Sequence, residues 1–137
     1  LNDGMGAYIA GQLVKSMLSQ DIHVNGSRVL VLGLTFKENC PDMRNTRVVD
    51  IISELVGYHC TVDVYDPWVE RESTTGFQQF NLIEAPEQGI YDAVLLAVAH
   101  QDFAELGSSV IRSFCRPEHV FFDIKSLFSI EESDIRL

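Results

Sequence analysis

Basic residues are scarce in this sequence. Ten lysines and arginines stand against twenty aspartates and glutamates, giving a formal net charge of -10 over 137 residues. Nucleic acid is therefore not an expected partner, because phosphate contacts demand a basic surface. Cysteine is scarce as well. Cys40, Cys60 and Cys115 are far apart, odd in number and without CxxC spacing. That usage indicates neither a disulfide framework nor a metal site, and it fits ordinary thiols in a reducing cytoplasm. No apolar run approaches the roughly 20 residues of a membrane helix. Residues 1–6 have neither the basic nor the apolar region of a signal peptide. The chain opens on Leu1 rather than Met, as expected of a piece cut from a longer protein or of a processed one. It also lacks an HExxH motif, a Ser-His-Asp order and paired carboxylates with a defined partner, so no catalytic set is expected within it.

What remains is ordinary for one globular domain: 46% hydrophobic and 22% charged residues. The charge is unevenly spread. Residues 28–47 hold Arg28, Lys37, Arg44 and Arg47 against Glu38 and Asp42, whereas residues 66–105 hold eight acids against Arg71 alone. A positive island in an acidic chain is either a candidate anion site or a chance cluster on a solvated face.

Residues 3–18 repeat helically, with Met5, Ile9, Leu13 and Met17 at i+4 spacing and Asn2 or Asp3 as a cap. Gly6, Ala7, Ala10 and Gly11 leave small surfaces where another helix can approach. Residues 28–35 (RVLVLGLT) form a continuous, partly β-branched apolar run that suits a central strand covered on both faces. A polar loop, 36–45, precedes a helix over 46–56 with the stripe Val48, Ile51, Ile52 and Leu55, capped by Asn45 or Thr46 and closed by Gly57. Further strands are expected at 61–65, 79–83, 92–99 and 120–124, and short helices at 102–105 and 108–114. Alternating strands and helices imply an α/β fold: a Rossmann-like three-layer domain with a mostly parallel sheet, preceded by one linking helix. The boundary is expected after residue 26, which leaves 1–26 as the linking element and 27–137 as the domain.

In such sheets ligands bind beyond the carboxyl ends of the strands. The dinucleotide fingerprint GxGxxG is broken here to Gly33-Leu34-Thr35-Phe36-Lys37-Glu38, keeping only the first glycine. A backbone cradle is thus disfavoured. A side-chain clamp on a nucleotide diphosphate is better supported, with Lys37 as a point charge and Arg44 as a fork. The alternative is that both are surface charges paired with Glu38 and Asp42. Asp66, at the end of the second expected strand, reads either as a ribose acceptor or as a plain turn before Pro67. His100 and Lys125 follow apolar strands, and each alone is ordinary. Trp68 either stacks on a base or packs a loop.

The stretch LGLTFKENCPDMRNT, residues 32–46, resembles the signature that opens the C-terminal domain of the UDP-glucose/GDP-mannose dehydrogenases. It is most similar to the bacterial and archaeal branch acting on UDP-N-acetyl amino sugars in Vi-polysaccharide and O-antigen synthesis. Residues 2–6, 64–67, 92–100 and 122–125 carry the likeness over essentially the whole chain. The resemblance implies that Phe36 and Lys37 lie against the nucleotide-sugar diphosphate, that Arg44 reaches toward the NAD pyrophosphate, and that Lys125 contacts the nucleotide sugar. It implies oxidation of a sugar C6 alcohol to a carboxylate in two NAD-dependent steps by a homodimer. The cysteine nucleophile and the NAD-binding domain of that family lie N-terminal to the part seen here, and none of the three cysteines sits in the nucleophile's motif. The chain alone is therefore expected to be inactive. The competing expectation is a stand-alone nucleotide-binding or regulatory module, against which the small-residue first helix is the discriminating feature.

Overall fold

In the computed structural model, which describes residues 4–44, 46–77 and 79–137, the first apolar run becomes one of the two central strands of the sheet: β1, Arg28–Leu32, hydrogen-bonded on both sides. Its flanks are β2 (Thr61–Tyr65) and β4 (Tyr91–Leu96), and the sheet extends outward through β3 (Asn81–Leu82) on one side and β5 (Cys115–Asp123) and β6 (Ile135–Arg136) on the other. The order is β3-β2-β1-β4-β5-β6 and every pairing is parallel. The chain therefore builds outward from β1 in one direction, returns, and builds outward in the other, so the winding reverses between β1 and β4.

Side chains alternate across a strand, and that alternation divides the core. Val29, Val31, Val62, Val64, Ala93, Leu95, Val120 and Phe122 face helices α1 (Met5–Ser19) and α2 (Val48–Gly57). Leu30, Leu32, Val94, Leu96 and Phe121 face α3 (Gln101–Leu106) and α4 (Ser108–Ser113), where Phe103 and Ile111 are buried. Three layers result. No helix among the described residues is long and apolar enough to cross a membrane.

α1 belongs to this core. Ile9, Ala10, Leu13 and Met17 are buried with the sheet residues. A Cβ on Gly6 would lie 3.0 Å from the Cβ of Asp50 on α2. The small surfaces expected to receive another helix are thus used, in part, by α2 of the same chain. The first helix consequently loses its force as a discriminator between a two-domain enzyme and a stand-alone module.

Other expectations shift in detail. The caps at Asn2, Asp3 and Asn45 lie outside the described residues. Thr46 takes the capping role, its Oγ1 accepting the Val48 N–H at 3.3 Å while donating to the Leu34 carbonyl at 2.7 Å. α2 ends on Gly57, but the left-handed residue that turns the chain is His59, at φ 70°. β5 begins at Cys115, ahead of the expected 120. Cys115 pairs with Tyr91, the register then slips, and pairing resumes at Val120 opposite Ala93. The intervening Arg116, Pro117 and Glu118 are exposed, which hides this first part of the strand from any hydrophobic pattern. β6 was not expected. Its two residues are held beside β5 by the preceding Asp134, whose carboxylate accepts the Phe121 N–H at 2.7 Å and two N–H groups of Arg112, and by Ile135, which packs against the core.

Candidate nucleotide site at the carboxyl edge of the sheet

β1 ends at Leu32, and Gly33 turns the chain with φ +100°. A side chain is excluded there, since a Cβ would lie 2.5 Å from the Cβ of Val98 and 2.9 Å from its backbone nitrogen. The one glycine kept from the fingerprint therefore serves close approach of the two chains that part at the switch point.

The next two residues, Leu34 and Thr35, are fully buried. In a dinucleotide-binding turn their N–H groups would face a pyrophosphate. Here both point at Asp66, at the end of β2: its Oδ2 accepts Leu34 N–H at 2.6 Å and Thr35 N–H at 3.0 Å. Oδ1 accepts Trp68 N–H at 2.8 Å, and His100 Nε2 lies 3.0 Å from Oδ2. Burial alone would push the Asp66 carboxyl up. The bonds from His100, Leu34 and Thr35 outweigh it and hold the carboxyl below its ordinary value. The acid that could have received a ribose hydroxyl is thus turned inward and saturated, and it closes the backbone cradle with the same atoms. The turn reading of Asp66 holds, and this crevice does not fit a dinucleotide.

Beyond Thr35 the loop comes to the surface. Phe36 is 51% exposed and Lys37 is exposed. The segment is tied at its base, with Phe36 N–H donating to the Asp42 carbonyl at 2.7 Å and the Thr35 hydroxyl to the Lys37 carbonyl at 3.1 Å. Among the described residues Lys37 forms no ion pair. Arg44 does: its Nε and a terminal nitrogen each lie 3.0 Å from an oxygen of Asp42, although 87% of its side-chain surface is open to solvent. The hydrogen bonds from Arg44 hold the Asp42 carboxyl below its ordinary value. The surface-pair reading therefore applies to Arg44 and not to Lys37.

The same device recurs after β5. Asp123 is fully buried, and its carboxylate accepts N–H groups of Leu127 at 3.1 Å and Phe128 at 2.9 Å. The turn so formed carries Lys125, exposed, past Asp123. β1 and β5 are separated by β4 alone, so both lysine-bearing turns leave the same sheet edge with strand ends roughly 10 Å apart. His100 is fully buried, and Trp68, 38% exposed, stacks on it at 6.1 Å while its Nε1 donates to Asp102. Trp68 packs the loop. In the sequence Asp66 and His100 stand as unconnected candidates, and neither Thr35 nor Asn39 carries a signal of its own. No local signal links them, because the contacts span 31 to 65 residues.

A depression of about 580 Å³ opens at the opposite, amino edge of the sheet, beside Arg28, Asp92 and Arg116. Its neighbourhood is an internal polar cluster: Tyr91 Oη donates to Asp63 at 2.6 Å, and Arg28 and Asn81 also bind that carboxylate.

A parallel sheet wound on both faces in this order, with its first turn occupied by Asp66 and two exposed lysines at the carboxyl edge, defines a Rossmann-like α/β domain. The sequence model of the UDP-glucose/GDP-mannose dehydrogenase family, UDP binding domain, matches residues 30–130, and the chain belongs to that family. It is 53% identical over 137 residues to the UDP-N-acetyl-D-glucosamine 6-dehydrogenase of Pseudomonas aeruginosa and 48% identical over 139 residues to that of Salmonella typhi. All of this chain is covered in both cases, but only 32% of either relative, so the chain spans about a third of their length. The fold matches that of the NDP-N-acetyl-D-galactosaminuronic acid dehydrogenase of Methanosarcina mazei Go1 with a TM-score of 0.82, at 21% identity, over 96% of this chain and 27% of that one.

Proposed function

We propose that this chain is the nucleotide-sugar-binding, C-terminal domain of an NAD-dependent UDP-sugar 6-dehydrogenase, which oxidises a sugar C6 alcohol to a uronate for surface polysaccharide synthesis in the cytoplasm. The observation that carries this reading is the presentation of Phe36 and Lys37 on a tied loop at the switch point, beside a cradle that is closed to dinucleotide. Lys37 supplies a mobile positive charge to the diphosphate, Phe36 an apolar surface against the nucleotide, and Lys125 a second cation from the neighbouring turn. NAD, when bound to the whole enzyme, accepts the hydrides. The inward-facing Leu34 and Thr35 N–H groups fit no role in holding it; the family resemblance gives the contact with its pyrophosphate to Arg44, which is exposed and would exchange its pairing with Asp42 for that contact. Residues 1–26 connect to a preceding NAD-binding domain that carries the nucleophilic cysteine, and the whole protein works as a homodimer. A stand-alone nucleotide-binding module is the weaker reading, because the full length of this chain aligns within enzymes about three times longer.

The test is a titration of the chain with UDP at low salt, followed by amide NMR shifts. Shifts are expected to cluster at Phe36, Lys37 and Lys125, to fade with added salt, and to need about tenfold more UDP in Lys37→Ala, in line with about 1.4 kcal/mol for one charge-assisted contact. Shifts of equal strength in Lys37→Ala would overturn the clamp.

A further inference from the structure

The loop that carries Phe36 and Lys37 is fastened at a second point, farther along the chain, by a residue that no nucleotide can reach. His100, between β4 and α3, is fully buried. Its Nδ1 accepts the backbone N–H of Asn39 at 2.8 Å. An amide N–H can only donate, so Nδ1 is the bare nitrogen and Nε2 carries the hydrogen. That hydrogen faces Asp66 Oδ2 at 3.0 Å and Thr35 Oγ1 at 3.1 Å. Asn39 returns a bond: its side-chain Oδ1 accepts the Gln101 N–H at 2.8 Å, at the first turn of α3. Asn39 sits at φ +56°, a conformation that non-glycine residues seldom hold unless their surroundings enforce it. The ring itself is sealed by Trp68 on one face and Phe103 at 5.4 Å.

Phe36, Lys37 and Glu38 are thus a three-residue tip strung between two fixed points, Thr35 on Asp66 and Asn39 on His100 and Gln101. We infer that His100 and Asn39 form a latch that sets the conformation of this tip, so that nucleotide affinity depends on a positioning residue the nucleotide never touches. The inference rests on the reading of Phe36 and Lys37 as the nucleotide-facing pair. Its physical content is a population: a tip that is ordered only part of the time binds with its intrinsic affinity reduced by that fraction.

The experiment has a spectroscopic arm and a binding arm, both on the 137-residue chain. In the first, wild-type protein is expected to show a scalar coupling through the hydrogen bond from the Asn39 amide nitrogen to His100 Nδ1, with ring shifts of the Nε2–H tautomer. In the second, UDP is titrated. His100→Ala is expected to keep dispersed amides in β1 and β5, to lose exchange protection at Asn39, and to bind UDP about tenfold more weakly, as for a tip in place about a tenth of the time. His100→Asn, whose side-chain oxygen can still take the Asn39 N–H, is expected to recover most of that loss. Should His100→Ala fail to fold, Asn39→Gly tests the same latch from the surface: it tolerates the left-handed backbone, drops the bond to Gln101, and should weaken UDP about threefold. Absence of the coupling, or UDP affinity within about twofold of wild type in a latch-broken variant, overturns the inference. A wild-type chain that shows the coupling but no UDP shift at Phe36 or Lys37 overturns the nucleotide assignment itself, and the latch is then only structural.

Discussion

Replacing Gly33 by alanine should be among the most damaging single-methyl additions available to this fold. Two independent costs meet there. The backbone at φ +100° is strained for any residue with a Cβ, at about 1–2 kcal/mol. The new methyl would also stand 2.5 Å from the Val98 Cβ, 2.9 Å from its Cγ2 and 2.9 Å from its nitrogen, and forcing such overlap typically costs about 1–3 kcal/mol. Together they reach about 2–5 kcal/mol, a large share of the roughly 5–15 kcal/mol by which a domain is stable. The melting temperature should drop by about 10 °C. Urea denaturation followed by far-UV circular dichroism measures the loss, and a pair of double variants apportions it. Val98→Ala keeps the Cβ that clashes at 2.5 Å and should give little relief. Val98→Gly removes it and should show a favourable coupling of about 1 kcal/mol or more. Gly57→Ala is the internal control: nothing lies within 4 Å of the added methyl, and it should be neutral or stabilising by about 0.5 kcal/mol. A Gly33→Ala protein within about 1 kcal/mol of wild type would refute the reasoning.

Asp66→Asn leaves an amide NH2 facing backbone donors and should cost about 3 kcal/mol. The folded carboxyl sits below its ordinary value of 3.8 because the bonds it accepts outweigh burial. Its stabilisation is therefore present above that value and is lost as the pH falls through the folded one. Wild-type stability should decline below about pH 4, and the asparagine variant should show a shallower acid limb in denaturation midpoints taken from pH 6 to 3. Tyr91→Phe removes the donor to the buried Asp63 and should cost about 1–2 kcal/mol by the same urea assay. Iodoacetamide at pH 8 should modify one thiol in the native chain, Cys40, which is partly exposed. Cys60 is raised by burial and Cys115 is pushed up to about 12 by burial, so both should react only on unfolding, with mass spectrometry counting the adducts.

The sequence alone determined the elements that are covered on both faces or striped on one. RVLVL and the apolar run after Tyr91 read as buried strands because each is short, apolar and partly β-branched, and TVDVY reads as a strand from its alternating valines. The stripe of Val48, Ile51, Ile52 and Leu55 had to be a helix against them. It also determined which cations stand in the loops, since Lys37, Arg44 and Lys125 lie between apolar runs and so emerge at strand ends. Tertiary structure decided the rest. The first part of β5 and all of β6 are strands because a neighbour offers hydrogen bonds; the exposed Arg116, Pro117 and Glu118 and the two-residue length of β6 carry no period that would reveal them. Asp66 and His100, in isolation, look like groups available to a ligand. Their fate was set by residues 31 to 65 positions away, which brought Leu34, Thr35 and Asn39 to them with donors that a buried carboxylate and a buried imidazole can satisfy. By closing the backbone cradle in this way, long-range contacts left Phe36 and Lys37 as the residues that the loop holds outward.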